Sequence, residues 1–411
     1  MKALSLATVF AALSGFVVIY LASWTLGVDE FAAFQAYWGL FFAATGFLDG
    51  IMQETTRSVS AARDTGRVGS GRPWRLGAVV GGVVLVVALV VGLVWMPVLL
   101  RGHASVPVAA GFLAFGLFTY AFQAVLSGIL SGLGLWSRYA GLVALDSGVR
   151  LLLALLAWQL GWGMPAFLVI TVIGALSWLV VLWGVPRDVL VDVSRSALTR
   201  RAGSAMLATG ASAALITGFP VFVQSTYEPG AGELVTVAGI INAVTLTRAP
   251  ILVPLQRFQS ALIVRFVEQR AALYRALVVP VGAVLGVGVV GAFFAWLLGP
   301  WILETFFKDG LQVPGLLLAV LTFASACTGS LMVTGAAALA SELHKAYVLG
   351  WVVASVVAFG VLWLAPLSLE VGVCVALIGG PVAGGLVHAA ALRGARAGVG
   401  DDASSDVTSD T

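Results

Sequence analysis

FAAFQAYWGLFFAATGFLDGIMQETTRSVSAAR, residues 31–63, is the stretch from which the rest of the chain can be read. Its first two-thirds are apolar and aromatic, long enough to enter a bilayer. Its last third places Asp49, Gln53, Glu54, Thr55, Thr56 and Arg57 on the same predicted helix. Charges at membrane depth cost roughly 2.5–3.5 kcal/mol each on insertion scales, so these side chains must face something other than lipid. A related stretch returns from Glu233 to Arg270, apolar first and then carrying Arg248, Gln256, Arg257, Gln259 and Arg265. One such helix in each half of the chain points to a polar cavity between two halves.

The totals agree. The chain has 411 residues, 60% of them hydrophobic and 10% charged, and a mean hydropathy of +1.04. Apolar runs of about 20 residues recur from end to end, which specifies an all-α polytopic membrane protein. Continuous rather than alternating apolar runs exclude an outer-membrane barrel. The net charge of +3 gives no ground for a nucleic-acid partner. Cys327 and Cys374 both sit in apolar runs, so neither a disulfide framework nor a metal site is implied. Lys2 and the apolar residues to Leu21 imitate a signal peptide. A retained helix is the better reading, because Ser14, Tyr20, Ser23 and Thr25 are spread along the segment and a similar one opens the second half.

About twelve spans follow from a window near 19 residues. They run over 3–26, 31–58, 76–100, 107–133, 138–160, 164–184, 203–226, 233–262, 276–298, 312–339, 346–366 and 369–392. Breaks fall at turn chemistry such as Gly69-Ser70-Gly71-Arg72-Pro73 and Lys308-Asp309-Gly310. Basic residues follow the even-numbered spans: Arg63, Arg67, Arg72 and Arg75; Arg138; Arg187, Arg195, Arg200 and Arg201; Arg265, Arg270 and Arg275; Lys345; Arg393 and Arg396. The opposite loops hold Asp29, Glu30, Glu228, Glu233, Glu304, Asp309 and Glu370, with Arg101 and Lys308 as exceptions. By the positive-inside rule both termini are expected on the cytoplasmic side of a bacterial inner membrane. The first two spans and spans seven and eight, about 207 residues later, both end in a basic exit. Spans four and ten both run into a short basic turn, at Arg138 and Lys345. Six spans per half is an even number, so the repeat is the parallel kind. The expected organisation is a six-helix bundle over 1–186, a cytoplasmic linker over 187–202, a second six-helix bundle over 203–393 and a disordered acidic tail over 394–411.

Gly286, Gly288 and Gly291 spell a dinucleotide-type GxGxxG, but inside an apolar span without a strand before it. Close helix packing explains them better, as it does Gly128/Gly132 and Gly380/Gly384, and no cofactor is expected. Asp49, Gln53 and Arg57 recur every four residues on one helix face, and Glu54 can pair with Arg57 at i,i+3. One reading makes this a cavity wall, with Asp49 and Glu54 for a coupling H+ or Na+ and Arg57 for an anionic head group. The other has Glu54 and Arg57 simply emerging at the interface. Asp146 and Arg150 are spaced i,i+4, acid first, and suit a structural ion pair or a functional one equally. Arg248 lies about 15 residues into its span, roughly 22 Å from the start. Pro250 and Pro254 follow, each removing a backbone donor, so a deep arginine stands beside a candidate hinge. Either it contacts substrate or an acid on another helix, Asp49 or Asp146, neutralises it. Gln53, Tyr120, Gln123, Asn242 and Gln256 are polar groups that suit sugar hydroxyls or helix–helix hydrogen bonds.

Twelve spans, cytoplasmic termini, two parallel six-span halves and short loops resemble the multidrug/oligosaccharidyl-lipid/polysaccharide exporter superfamily. Within it the chain looks most like the polysaccharide-type (O-antigen, Wzx-like) flippases. The carrying segments are GFLDGIMQETTRSVSAAR and LSGLGLWSRYAG, within a likeness that covers about residues 3 to 393. The resemblance implies a MATE-like pair of bundles with a central cavity open to each side in turn. It implies a polyprenyl-(di)phosphate-linked glycan as substrate, carried across the membrane for surface polysaccharide or cell-wall synthesis beside polysaccharide-assembly proteins and membrane lipids. Arg248, Arg57 and Arg150 match the cavity arginines expected to hold the diphosphate. Two rivals stand beside this: a cation-coupled drug or metabolite antiporter of the same fold, resting on carboxylates, and a membrane glycosyltransferase or polymerase, which needs a larger outer loop than this chain has.

Overall fold

The computed structural model describes residues 2–183, 189–228, 230, 235–268 and 273–405. Arg187, Glu233 and Arg270, the side chains of Gln256, Arg257, Gln259, Arg275 and Arg396, and the tail from residue 406 on lie outside the described residues. Among the described residues there are fourteen α-helices and no strand. Eleven helices are long and apolar enough to cross a membrane, or twelve if one bent pair counts as a single span. This is the all-α, twelve-span class expected.

Two compact units emerge, Met1–Ser225 and Thr226–Thr411. The first holds α1 (Lys2–Thr25), α2 (Val28–Thr65), α3 (Pro73–Leu100), α4 (Val106–Gly132), α5 (Trp136–Leu160), α6 (Met164–Ile173), α7 (Trp178–Val181), α8 (Arg195–Ile216) and α9 (Phe219–Thr226). The second holds α10 (Val237–Glu268), α11 (Leu273–Phe306), α12 (Gly315–Ala340), α13 (His344–Leu364) and α14 (Leu369–Ser405). By packing, the boundary falls at the end of α9 rather than in the linker before α8, because α8 lies along α2. Three glycines of α2 make that contact. A Cβ on Gly50 would stand 2.1 Å from the Met206 nitrogen, one on Gly46 2.6 Å from Ala213 Cβ, and one on Gly39 2.7 Å from the Thr217 carbonyl.

The helix α2 is longer than its expected span. It begins behind Gly27, whose N–H donates to Glu30 Oε2 at 3.4 Å, and stops at Gly66 in the left-handed region, φ 67°. Its 38 residues make a rod of about 57 Å, well beyond a hydrocarbon core of about 30 Å, so its last turns need not lie in lipid. One expected span tightens locally and another is bent. The sixth passes from α6 through a 3₁₀ turn at Gly174–Leu176 before α7. The seventh bends by 52° between α8 and α9, where Gly218 precedes Pro220, a residue with no N–H to continue the ladder. The expectation of an unstructured tail from 394 is corrected over 394–405, where α14 continues. The Ala- and Arg-rich Ala389–Ala397 has the intrinsic propensity to extend a helix beyond its apolar part.

The repeat is visible in two turns 208 residues apart. After α4, Leu135 N–H donates to Leu130 O at 2.8 Å and Gly134 N–H to Ser131 O at 3.0 Å. After α12, Leu343 N–H donates to Ala338 O at 2.9 Å and Glu342 N–H to Leu339 O at 3.0 Å. Gly134 has φ 74° and Glu342 φ 64°. The following residues match as well, Leu135 at φ −81°, ψ 56° and Leu343 at φ −85°, ψ 57°. Tyr139 and Tyr347 then occupy corresponding places in α5 and α13. Two of the three motif glycines in α11 serve packing, a Cβ on Gly288 lying 2.3 Å from Ala326 Cβ and one on Gly291 3.2 Å from Thr322 Cγ2, whereas a Cβ on Gly286 would meet nothing within 4 Å.

Candidate functional site

In the first unit two predicted polar residues of α4 reach predicted acids on α2 and α5 in two separate contacts. Tyr120 and Gln123 are one turn apart on α4 and reach to opposite neighbours. The Tyr120 hydroxyl donates to Asp49 Oδ1 at 2.7 Å, and Gln123 Nε2 donates to Asp146 Oδ1 at 3.2 Å. Arg150 Nη1 donates to the other oxygen of Asp146, and its Nε to the Thr171 carbonyl at 3.1 Å. The guanidinium carbon lies 5.2 Å from the Phe42 ring centre and 5.9 Å from that of Phe41. Arg150 is buried, and its charge is met by the acid one turn before it, a backbone carbonyl and two aromatic faces. The arrangement is that of a packed ion pair. Gly174 makes room for it: an added Cβ would stand 2.5 Å from both Arg150 Cζ and Asp146 Oδ1. Gly174→Ala is therefore expected to lower stability by about 1–3 kcal/mol through overpacking, read as a lower melting temperature in detergent.

The stripe Asp49, Gln53, Arg57 runs from half-buried to exposed along α2. Buried Glu54 fixes one edge of the Arg57 guanidinium, taking hydrogen bonds from Nε at 2.9 Å and Nη2 at 2.8 Å. The other edge meets Asp192, on the segment that enters α8. Arg57 Nη1 donates to Asp192 Oδ2 and Nη2 to Oδ1, both at 3.3 Å, and the Ser58 hydroxyl donates to Oδ1 at 2.9 Å. Backbone bonds seat the same segment: Gly69 N–H donates to Val191 O at 2.6 Å and Gly71 N–H to Val193 O at 2.9 Å.

Partial burial pushes the Asp192 carboxyl upward, but the hydrogen bonds from Ser58 and Arg57 and the guanidinium charge outweigh it. They hold the group below its ordinary 3.8. A carboxyl whose folded value is depressed stabilises the fold fully above its unfolded value and loses that contribution as pH falls through the folded one. Wild type is thus expected to melt slightly above Asp192→Asn near neutrality, by less than about 1 kcal/mol for so exposed a partner as Arg57. The gap should close as pH falls below 3.8, the unfolded value; a gap that persisted in acid would show the carboxylate charge to be irrelevant.

In the second unit Arg248 is the twelfth residue of α10, about 16 Å from its start, and 6% exposed. The helix is continuous through Pro250 and Pro254. Asn242, two turns nearer the start, is fully buried, and neither atom of its amide has a hydrogen-bond partner among the described residues. The Thr245 hydroxyl is spent on the Ile241 carbonyl, and the Gln256 side chain lies outside the described residues.

Besides Ser58 and Asp192, Gln35 and His388 are two buried polar residues not singled out from the sequence. Gln35 in α2 is buried, and both atoms of its amide lack a partner among the described residues. It stands 207 residues before Asn242, the spacing of the repeat, which is the signal that would have found it. His388 in α14 is fully buried. Its Nε2 donates to the Tyr347 carbonyl at 3.2 Å and its Nδ1 is 2.9 Å from the Thr334 hydroxyl. Gly350 leaves the imidazole its place, since a Cβ there would lie 2.1 Å from Nε2.

Comparison with known proteins adds relatives and a fold. No protein-family model matches the chain. Uncharacterized protein Rv1510 of Mycobacterium tuberculosis is 39% identical over 394 residues, covering 94% of this chain and 90% of the relative. Uncharacterized protein Rv3630 of the same organism is 38% identical over 395 residues, with the same coverage of 94% and 90%. Among solved structures, the inward-facing conformation of a multidrug resistance MATE family transporter of the MOP superfamily superposes with a TM-score of 0.72 at 17% identity, over 93% of this chain and 95% of that one. The lipid II flippase MurJ in its inward closed conformation gives 0.66 at 12% identity, over 96% and 88%. The chain belongs to the family of these mycobacterial proteins and has the fold of the multidrug/oligosaccharidyl-lipid/polysaccharide exporter superfamily.

Proposed function

We propose that this protein is a non-enzymatic flippase of the bacterial cytoplasmic membrane, with both termini cytoplasmic, that translocates a polyprenyl-(di)phosphate-linked sugar by alternating access. The observation that carries the reading is Arg248, a buried cation well inside a membrane span of a fold shared with transporters. An arginine at that depth is costly and is kept where it meets an anion or a polar path. A lipid-linked diphosphate needs such a group, because its charged head must be shielded from hydrocarbon while its tail stays in lipid. That one structural neighbour is a lipid II flippase supports the substrate class. Arg57 and Asn242 are the further candidates for head-group and sugar contacts. Arg150, already engaged by Asp146 and Thr171, supports the fold in this reading.

The second reading, a cation-coupled antiporter, is favoured by Asp49, a carboxylate within a span that takes a hydrogen bond from Tyr120. Depletion of the protein from its host separates the two. A complete polyprenyl-diphosphate glycan accumulating on the cytoplasmic side, with loss of surface polymer, supports the flippase. Unchanged glycolipids with altered sensitivity to cationic drugs would replace it with the antiporter.

A further inference from the structure

We propose that Arg57 and Ser58 form an entry site for a diphosphate head group, and that Asp192 occupies this site as an internal stand-in until substrate displaces it. The inference rests on the flippase reading and extends it. Its donors converge on one anion: the Ser58 hydroxyl at 2.9 Å and two Arg57 nitrogens at 3.3 Å hold both oxygens of the Asp192 carboxylate. A guanidinium edge with an adjacent hydroxyl recognises phosphate oxygens by the same geometry as carboxylate oxygens. The site is built before any ligand arrives. Ser58 is fully buried, and the bidentate grip of Glu54 leaves Arg57 only one orientation for its outer edge.

Asp192 is a replaceable occupant. Its bonds to Arg57 are longer than the 2.7–2.9 Å usual for charge-assisted pairs. The Arg57 side chain is 42% exposed and that of Asp192 16%, so an anion in solution can reach the pair. Asp192 brings one negative charge, whereas a diphosphate brings two or three. The same end of the unit carries exposed Arg67, Arg72 and Arg195, beside Arg63, which Asp64 pairs at 3.0 Å, and they favour the more highly charged competitor. Displacement has a consequence in the chain. The Asp192 N–H also donates to the Ser58 carbonyl at 3.3 Å, between the two bonds that seat Val191 and Val193 on Gly69 and Gly71. An arriving head group therefore loosens the segment that leads directly into α8, and couples substrate entry to that helix.

The test uses the full-length protein in phosphatidylcholine nanodiscs. Binding of inorganic pyrophosphate and of undecaprenyl diphosphate is measured for wild type, Asp192→Asn and Arg57→Gln, together with hydrogen exchange at the Gly69 and Gly71 amides. Asp192→Asn is expected to bind the diphosphate about tenfold more tightly than wild type and Arg57→Gln about tenfold more weakly, each converting to about 1.4 kcal/mol. Ligand should speed exchange at Gly69 and Gly71 in wild type. If pyrophosphate alone does so, the phosphates suffice; if only the lipid does, the site reads a lipid head group; both results support the proposal. Equal affinity of Asp192→Asn and wild type, or exchange unaltered by either ligand, would overturn it. So would the same change in exchange in phosphatidylglycerol nanodiscs without diphosphate. Failure here with transport still dependent on Arg248 leaves the flippase reading intact, whereas no transport of a lipid-linked diphosphate by any variant removes that reading itself.

Discussion

Arg150→Ala is expected to destabilise the first unit by about 3–5 kcal/mol, and the double variant Asp146→Ala/Arg150→Ala to recover much of that loss. Removing the arginine alone strands a carboxylate within a membrane span, and an uncompensated buried charge is what makes breaking such a pair so costly. Asp146 would keep only the Gln123 amide, 3.2 Å away, as a hydrogen-bond donor among its contacts here. Removing both partners takes away the stranded charge and leaves a space framed by Phe41, Phe42 and Gly174, at a cost of packing alone. Denaturation of the purified protein in micelles across the double-mutant cycle measures the coupling, expected at several times the 0.5 kcal/mol within which distant sites add. The cycle also separates structure from function. A structural pair predicts that the folded double variant still transports; a folded but inactive double variant would return Arg150 to the substrate-binding set.

The twelve spans and the repeat were legible because each is written redundantly. An apolar run of 20 residues survives any single substitution, and the basic exits of α2, α4 and α12 recur with the repeat. The pairing of Asp146 with Arg150 was legible because it lies within one helix, as was that of Glu54 with Arg57. Asp192 was not, since it comes from a loop 135 residues after Arg57 and nothing local marks it as a partner. The bend between α8 and α9 had a local sign in Gly218 and Pro220, but an apolar window averages over such a break. Gln35 and His388 were overlooked for a different reason. A single polar residue in an apolar span carries little signal until a repeat partner or a neighbouring glycine gives it context. Gly174 and Gly350 supply that context for Arg150 and His388 only once the chain is folded.

Arg248→Ala is expected to reduce transport of a lipid-linked diphosphate by about 10- to 100-fold while leaving the protein folded. A hydrogen bond to a charged group contributes about 1.5–3 kcal/mol, and each 1.4 kcal/mol is a factor of ten. Arg248→Lys is the informative companion. It keeps the charge at the same place in α10 but loses the planar fork that grips two oxygens at once, so an intermediate loss is expected. A purely structural arginine predicts another order. Replacing it would change the amount of protein in the membrane or its melting temperature, and lysine would differ little from arginine in transport per folded molecule. The measurement is translocation of a fluorescent polyprenyl-diphosphate sugar in proteoliposomes, normalised to folded protein. Graded loss from arginine through lysine to alanine, at constant melting temperature, is the signature of an anion held in the transport path. Unaltered transport in Arg248→Ala would remove the observation on which the flippase reading stands. The half-buried Asp49 carboxylate and its Tyr120 hydrogen bond would then be the feature to explain, and a cation-coupled antiporter would explain it better.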